Sequence, residues 1–429
     1  MLDIRLIREN ESFVRSRLEQ RGNEQAQLLD GLVELDKQRR ALIESTDSLK
    51  AKRNELTREI AEASKRGEMV NPLKDQSRAI GEEITRGDSE LKEIEKNIQA
   101  RLMQIPNLPH ESVPFGKSAD ENVVVRSWGE APKFDFEPKD HLTLGKSLGI
   151  CDFERGTKLT GSGFPVYKGA GAILERALLN FFLETHRERG TYSEVSVPFL
   201  VNRDSLTGTG QLPKFEEDLY RCDVDDFFLI PTAEVPITNL HRDEILPEAE
   251  LPLCYCGYTP CFRREAGSYG KETRGFLRLH QFDKVEMVKF TRPEDSYGEH
   301  EKLTADATHL LELLGIHYRV VLLCSGDMGF GAAKCYDIEI WSPAEKKWLE
   351  VSSCSNFEGF QSRRANIKFR RADTGKTDYV HTLNGSGLAT PRLLVVLLET
   401  FQNDDGTVSV PDVLKKYTGF GLITPKGTK

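Results

Sequence analysis

The chain has 429 residues, of which 38% are hydrophobic and 30% are charged, and its formal net charge is −9. The apolar fraction excludes a chain that is disordered throughout, and the absence of any apolar run near ~18 residues argues against a membrane-spanning protein. The acidic balance excludes a bulk polycation, so any binding to nucleic acid must use a local surface.

The first hundred residues carry a heptad repeat, which is typical of a coiled coil. Five leucines recur every seven positions between residues 28 and 56, and a complementary series lies four residues after each of them. A turn-rich break at residues 65–72 separates this run from a second run between Leu73 and Ile105. The pattern predicts an antiparallel two-helix coiled-coil arm that projects from the body, each helix roughly 50–55 Å long.

The charge along the predicted arm is uneven. Residues 50–78, around the turn, contain eight bases and five acids, whereas the flanking segments 28–49 and 79–105 are acidic. A positive tip suits phosphate contacts on a large anionic partner. A dimerisation rod or a plain spacer is the alternative for any coiled coil.

After about Pro106 the chain changes to a mixed pattern of helices and strands, which predicts an α+β fold with an antiparallel sheet flanked by helices. Helices are predicted near residues 169–189, 294–314 and 387–403. Strands are predicted at residues 123–125, 193–198, 227–230, 285–288, 318–323, 337–341 and 349–351. We therefore predict two domains, residues 1–108 and residues 109–429.

The eight cysteines do not form the pattern of a zinc site or of a disulfide framework. Cys254, Cys256 and Cys261 lack the paired C-x2-C knuckles of structural zinc sites. No export signal accompanies them, so we expect reduced thiols in a cytoplasmic protein.

Three stretches of the second domain carry side chains suited to a polyanion. In the first, Arg263, Arg274 and Arg278 flank a glycine-rich loop, and we expect them to enter one cleft, because guanidinium groups bind phosphate or carboxylate through two donors. The second stretch, residues 348–356, offers a carboxylate and hydroxyls that suit Mg²⁺. The third, residues 383–392, places two glycines before an arginine. Each alone is consistent with an ordinary hairpin, loop or turn, but their joint occurrence indicates a nucleotide site.

With these stretches in this order, the chain resembles the bacterial-type seryl-tRNA synthetases, which are class II aminoacyl-tRNA synthetases, over nearly its whole length. Residues 190–198 are similar to motif 1, whose proline lies at the dimer interface. Residues 262–282 and 385–392 are similar to motifs 2 and 3, and Pro391 stands where many relatives have glycine. Residues 230–235, Ile-Pro-Thr-Ala-Glu-Val, are similar to the serine-binding segment of the family.

The resemblance implies a class II catalytic domain with serine–tRNA ligase activity. L-serine would be activated with ATP to seryl-adenylate and transferred to the 3′-terminal adenosine of tRNA(Ser), and tRNA(Sec) is left open as a second acceptor. ATP is the implied substrate and Mg²⁺ the implied cofactor. The implied assembly is a homodimer whose arms bind tRNA, with no membrane contact.

Two alternatives are weighed against this interpretation. One is a class II paralogue that activates an amino acid for a carrier protein, which would not need the arm. The other is a coiled-coil scaffold or RNA-binding protein with an inactive catalytic domain. The retained Arg263, Glu265, Glu350 and Arg392 argue against the second alternative.

The resemblance also implies roles for single residues. Catalysis is assigned to Arg263, Glu350 and Arg392. L-serine is assigned to Thr232, Ala233, Glu234, Glu286 and Ser386, with Thr232 and Glu234 at the ammonium group and with Glu286 and Ser386 at the hydroxyl.

The implied ATP site is larger. It comprises Arg263, Arg264, Glu265, Arg274, Phe276, Arg278, Gln281, Glu350, Val351, Ser352, Ser353 and Arg392. Within it, Arg263 would hold the α-phosphate and Arg392 the γ-phosphate, while Phe276 would stack on adenine and Glu265 would read the adenine amino group. Glu350 and Ser353 would hold Mg²⁺.

Overall fold

The computed structural model describes residues 1–189, 191–266 and 275–428. The chain divides into two compact units, Leu2–Pro106 and Asn107–Lys429, and Met1 belongs to the second unit. Among the described helices, none combines the length and the apolar composition that a membrane span requires.

The secondary structure described for the first unit is helical. Its helices are α1 (Ile4–Glu9), α2 (Glu11–Glu19), α3 (Asn23–Gln27), α4 (Leu32–Lys65) and α5 (Asn71–Leu102). The two long helices run antiparallel, because an early residue of α4 contacts a late residue of α5: Arg39 Nε lies 3.2 Å from Glu95 Oε1. Farther along, Lys50 Nζ lies 3.0 Å from Asp88 Oδ1. The predicted two-helix arm is confirmed.

The predicted heptad seam is the contact surface between the two long helices. Leu56, Ile80 and Ile84 form a buried cluster, against which Leu49 and Leu73 pack. The seam therefore removes apolar surface from water along the hairpin, which is the main source of stability for helices that long.

The first long helix begins later than the heptad pattern predicts. Leu28 lies in a turn, and α4 starts at Leu32 after Gly31, which has the left-handed φ of 75°. Arg101, at the end of α5, donates a hydrogen bond of 2.8 Å to the Asp30 carbonyl of this turn. The spacing of the leucines continues through the turn, so periodicity alone could not locate the break.

The second unit combines helices with several sheets. Its helices are α6 (His141–Leu148), α7 (Phe153–Thr160), α8 (Ala170–Glu188), α9 (Arg203–Thr209), α10 (Glu234–Thr238), α11 (Ser296–Leu314), α12 (Phe360–Ala365), α13 (Thr390–Thr400) and α14 (Asp412–Thr418). Its strands are β1 (Val123–Trp128), β2 (Cys151–Asp152), β3 (Val166–Tyr167), β4 (Ser193–Glu194), β5 (Leu200–Asn202), β6 (Arg221–Cys222), β7 (Phe227–Leu229), β8 (Ile245–Pro247), β9 (Leu253–Phe262), β10 (Gln281–Thr291), β11 (Tyr318–Leu322), β12 (Lys334–Ser342), β13 (Lys347–Asn356), β14 (Lys368–Arg370), β15 (Thr377–Tyr379), β16 (His381–Ala389), β17 (Val408–Ser409), β18 (Leu422–Thr424) and β19 (Gly427–Thr428).

Eight of the described strands form the central sheet in the order β1-β11-β12-β13-β16-β10-β9-β4. All neighbours are antiparallel except β4, which runs parallel to β9. Helices α8, α11 and α13 pack against this sheet and enclose the largest hydrophobic core. The predicted antiparallel sheet flanked by helices is therefore confirmed.

Two elements are clearly shorter than predicted. The strand expected over 193–198 is limited to Ser193–Glu194, and the helix expected near 387–403 is Thr390–Thr400. The glycines at 385 and 387 belong to β16 instead of a turn. A β-carbon at Gly385 would lie 2.5 Å from Leu303 and one at Gly387 would collide with His186, so these glycines let helices pack closely on the sheet.

Candidate active site

A cavity of about 480 Å³ brings together most of the predicted site residues. It is lined by residues from the central strands β10, β13 and β16 and from the segments that flank β9 and β10. The predicted residues that line it are Thr232, Glu234, Arg263, Glu265, Phe276, Arg278, Glu286, Glu350, Val351, Ser352, Ser353, Ser386 and Arg392. Arginines from distant parts of the chain thus converge on one hollow.

Some predicted residues do not line this cavity. Ala233 is fully buried in a hydrophobic cluster instead. Gln281 is exposed on β10, and it precedes Phe282, which faces the cavity, so strand alternation turns Gln281 away. Arg264 is also exposed, next to the cavity residue Arg263. Arg274 lies outside the described residues.

Arg263 follows β9 and is held by two contacts. Its Nε donates to the Pro231 carbonyl at 3.2 Å, and its guanidinium lies 5.2 Å from the centre of the Phe282 ring. Nearby, Arg278 Nη1 donates to Glu265 Oε2 at 2.9 Å. The planar guanidinium groups are therefore oriented before any ligand binds, which suits the recognition of phosphate or carboxylate.

Arg392 occupies the first turn of α13. Its Nη1 donates to the Glu350 carbonyl at 2.8 Å and lies 3.4 Å from Glu350 Oε2, while its Nε donates to the Leu277 carbonyl at 3.2 Å. Pro391 fits this geometry, because the first helical positions need no backbone N–H donor. Arg392 thus links β13 and the segment before β10 to its own helix.

The buried carboxylates of Glu234 and Glu286 form an acidic pocket within the cavity. Glu234 is buried and accepts a hydrogen bond of 2.5 Å from Gln361 Nε2, and Gln361 in turn accepts one of 2.6 Å from Thr382. Burial raises the pKa of Glu234 to about 7, and the charge of Glu286 contributes in the same direction. A cationic ligand group would relieve this concentration of negative charge.

Phe276 forms the aromatic wall of the cavity. Its ring stacks on Tyr167 with a centroid distance of 5.5 Å and an interplanar angle of 3°, and Phe153 lies 5.0 Å away. Gly275, at a φ of 64°, precedes it, and a β-carbon there would collide with the ring of His141. This packing fixes the position of Phe276 at the cavity.

The donor set around Glu350 and Ser353 fits a hard divalent cation, because it offers carboxylate and hydroxyl oxygens. Asp337 pairs with Ser353 across β12 and β13. Burial, and after it the charge of Glu350, raises the pKa of Asp337 well above its usual range. A cation at this place would reduce the repulsion between the two carboxylates.

Several residues that line the cavity were not among those predicted from the sequence. Lys284 precedes Glu286 by two positions on β10, and Asn384 precedes Ser386 by two positions on β16. The two-residue period of a strand puts such pairs on one face, so this signal could have identified both. Gln361 does not line the cavity but donates a hydrogen bond to Glu234, and no local sequence signal indicated this role.

The sequence matches two family models. Residues 1–109 match the seryl-tRNA synthetase N-terminal domain. Residues 215–401 match the tRNA synthetase class II core domain shared by enzymes for glycine, histidine, proline, serine and threonine.

Relatives with nearly full-length matches carry a consistent description. The chain is 54% identical to the serine–tRNA ligase of Chloroherpeton thalassium over 99% of this chain and 100% of that one. It is also 54% identical to the serine–tRNA ligase of Geobacter sulfurreducens over 98% and 99% of the two chains.

A solved structure is similar over the same extent. Seryl-tRNA synthetase from Pyrococcus horikoshii, complexed with ATP, superimposes with a TM-score of 0.93 at 41% identity and covers 99% of this chain and 100% of its own. The cytoplasmic enzyme of Naegleria fowleri, in complex with AMP, gives a TM-score of 0.89 at 31% identity and 99% coverage of both chains.

Proposed function

The chain belongs to the seryl-tRNA synthetase family, and on this premise we propose that it ligates L-serine to the 3′-terminal adenosine of tRNA(Ser) with ATP as the energy source. The observation that carries the proposal is the shared cavity, which Arg263 and Arg392 line together with Glu234 and Glu286. The ATP complex of the Pyrococcus horikoshii relative supports the assignment of the nucleotide.

In the first step, a carboxylate oxygen of serine attacks the α-phosphorus of ATP, and pyrophosphate leaves. Arg263 binds the serine carboxylate and the α-phosphate, while Arg392 binds the γ-phosphate. Their fixed positive charges stabilise the negative charge that develops in the transition state. Phe276 stacks on adenine, and Glu265 accepts a hydrogen bond from the adenine amino group.

Glu350 and Ser353 would hold Mg²⁺ on the triphosphate side of the cavity. When bound, the ion would neutralise phosphate charge. Arg392 contacts Glu350 through both its backbone carbonyl and its carboxylate, so the same strand segment orients the arginine and presents the metal donors.

Serine is recognised in the acidic pocket. Thr232 and Glu234 bind the ammonium group, and Glu286 and Ser386 bind the hydroxyl. Glu286 and Ser386 are direct neighbours across β10 and β16. A pocket that hydrogen-bonds a substrate hydroxyl discriminates against an analogue that lacks the hydroxyl by a factor of up to ~10⁴–10⁵ in kcat/KM.

In the second step, a ribose hydroxyl of tRNA attacks the carbonyl carbon of seryl-adenylate. The ester bond to tRNA forms, the bond to the phosphate breaks, and AMP leaves while the hydroxyl proton is released. We propose that residues 1–108 bind the tRNA through the two-helix arm, while residues 109–429 catalyse both steps. Recognition of double-stranded RNA by shape and phosphates suits the positive charge around the turn of the arm. We keep the prediction of a cytoplasmic enzyme, and tRNA(Sec) stays open as an acceptor.

We further propose a homodimer in which residues 193–198 contribute to the interface. Ser193–Glu194 lies at one edge of the central sheet, and the exposed side chains of Phe199 and Leu200 follow Pro198 directly. An edge strand next to exposed apolar side chains is a surface that association would cover.

Pyrophosphate exchange with ATP, measured with each of the twenty amino acids, tests the proposed function. We expect exchange with serine alone, and aminoacylation of tRNA(Ser) in a second assay. Exchange without any transfer to tRNA would favour a carrier-protein ligase, and no exchange at all would favour a scaffold.

A further inference from the structure

Lys284 lies beside the acidic pocket and contacts two residues that line the cavity, Thr232 and Glu286. The residue is 5% exposed. Its Nζ donates to Thr232 Oγ1 at 2.9 Å and contacts the Glu286 carboxylate. Burying an ammonium group is costly unless its charge is paired and its N–H donors find acceptors. The two contacts pair the charge and use two of the three donors.

The backbone places Lys284 and Glu286 side by side. Both residues belong to β10, two positions apart, and therefore share one face of the sheet. The pairing of β10 with β16 shifts register between them, so that Lys284 lies opposite Ala389 and Glu286 lies opposite Ser386. The lysine is thus fixed by the central sheet and not by a loop.

Lys284 also changes the electrostatics of the pocket. Burial and the charge of Glu286 raise the pKa of Glu234 to about 7, whereas the hydrogen bond from Gln361 and the charges of Lys284 and Arg263 act in the opposite direction. Two carboxylates in a small, poorly hydrated space repel each other, and nearby cations make their joint ionisation possible.

We propose that Lys284 is a positioning residue of the amino-acid pocket: its ammonium group fixes the Thr232 hydroxyl and the Glu286 carboxylate and supplies the positive charge that lets two carboxylates share one buried site. This role rests on the proposed function, because Thr232 and Glu286 are the residues to which serine recognition is assigned. The bound ammonium group of serine would then complete the charge balance around Glu234.

The same strand contains a matched lysine for comparison. Lys289 is also buried, but it lies on the opposite face of β10, where its Nζ is 2.9 Å from Glu299 and 3.9 Å from Asp306. Both lysines lie on β10 and pair with carboxylates, but of the two only Lys284 lines the cavity. Replacing Lys289 therefore controls for the general effect of removing a buried charge.

The test uses Lys284→Met, which keeps the length and removes the charge, Lys284→Arg, which keeps the charge, and Lys289→Met as the control. Serine-dependent pyrophosphate exchange gives the KM for serine and the KM for ATP. For Lys284→Met we expect a rise in the serine KM of about 10- to 100-fold, with the ATP KM within ~3-fold of the parent value. Lys284→Arg should recover most of the loss but retain a rise in the serine KM of ~3-fold or more, because the guanidinium is displaced from the position of the ammonium group. Lys289→Met should leave both constants within ~3-fold.

A pH profile separates positioning from a merely structural role. Activity should fall on the acid side as Glu234 becomes protonated, and this limb should move to higher pH in Lys284→Met, because one of the charges that lower the pKa of Glu234 is lost. In Lys284→Arg and Lys289→Met the limb should stay near its parent position.

The outcomes are distinguishable. A parent chain without serine-dependent exchange contradicts the proposed function, whereas an active parent with a Lys284→Met variant of unchanged serine KM and unchanged pH limb overturns the role of Lys284 alone. If Lys284→Met does not fold, Lys284→Arg carries the test. A displaced guanidinium should still raise the serine KM ~3-fold or more at constant ATP KM, and no change overturns the role.

Discussion

Thr46 on α4 faces Gly87 on α5 so closely that a β-carbon at position 87 would lie 2.8 Å from the Thr46 hydroxyl oxygen. A glycine inside a helix normally costs ~1 kcal/mol relative to alanine. Here the glycine permits close approach of the two helices at a position where the heptad pattern favours an apolar side chain. Thr46 and Gly87 should therefore behave as an energetically coupled pair.

We predict that Gly87→Ala lowers the free energy of unfolding of the parent chain but raises that of the Thr46→Ala variant. In the parent, the close contact between the alanine β-carbon and the Thr46 hydroxyl outweighs the higher helix propensity of alanine. In the Thr46→Ala variant this contact is absent, so only the propensity gain of ~1 kcal/mol remains. Urea unfolding followed by far-UV circular dichroism measures the four free energies of the cycle. A coupling energy below ~0.5 kcal/mol would show that the two positions are independent.

The role of the arm is tested by shortening it at a defined place. Lys50 and Asp88 are in contact across the hairpin, so residues 51–87 can be replaced by a short glycine–serine linker. We expect serine-dependent pyrophosphate exchange within ~2-fold of the parent rate and a loss of tRNA aminoacylation of about 10²-fold or more, because phosphate contacts dominate RNA affinity. Equal charging by both proteins would refute the assignment of the arm.

Arg392→Lys tests whether the geometry of the guanidinium matters. The arginine donates through separate nitrogens to the carbonyls of Glu350 and Leu277, and a lysine cannot reproduce this fork. We expect kcat/KM for ATP to fall by about 10²- to 10³-fold in pyrophosphate exchange, with the serine KM changed by less than ~3-fold. Arg370→Lys is the matched control, because Arg370 is exposed at the end of β14 and does not line the cavity, and its exchange kinetics should equal those of the parent.

Glu175 on α8 predicts a pH dependence of stability. Its carboxyl contacts the Thr390 hydroxyl, which also lies 3.0 Å from the Asp283 carbonyl. Burial raises the pKa of Glu175 from 4.5 to about 8. The folded chain therefore binds more protons than the unfolded chain between these values, and the contribution of Glu175 to stability falls as the pH rises through this window.

Glu175→Gln removes this titration while keeping the shape of the side chain. The free energy of unfolding of the parent, relative to Glu175→Gln, should decrease by on the order of 3–5 kcal/mol between pH 5 and pH 8.5. Urea titrations of both proteins at the two pH values measure the difference. A difference that is constant with pH would contradict the raised pKa.

Local patterns were sufficient for the features that repeat along the chain. The heptads predicted the hairpin, and the motif arginines were correctly expected to meet, since Arg263 and Arg392 line one cavity. The break at Gly31 escaped prediction because a left-handed glycine leaves the leucine spacing unchanged. The exposed position of Gln281 depends on which face of β10 meets the cavity, and that register is set by pairing with a distant strand.

The position of β16 in the central sheet has a consequence for synthesis on the ribosome. Among the described strands, β16 alone joins the half that ends in β13 to the half that begins with β10, although it is encoded after both. A nascent chain that stops short of His381 would hold two unfinished sheets with open edges, which invite aggregation. Translation must therefore run almost to completion before the two halves of the cavity can meet.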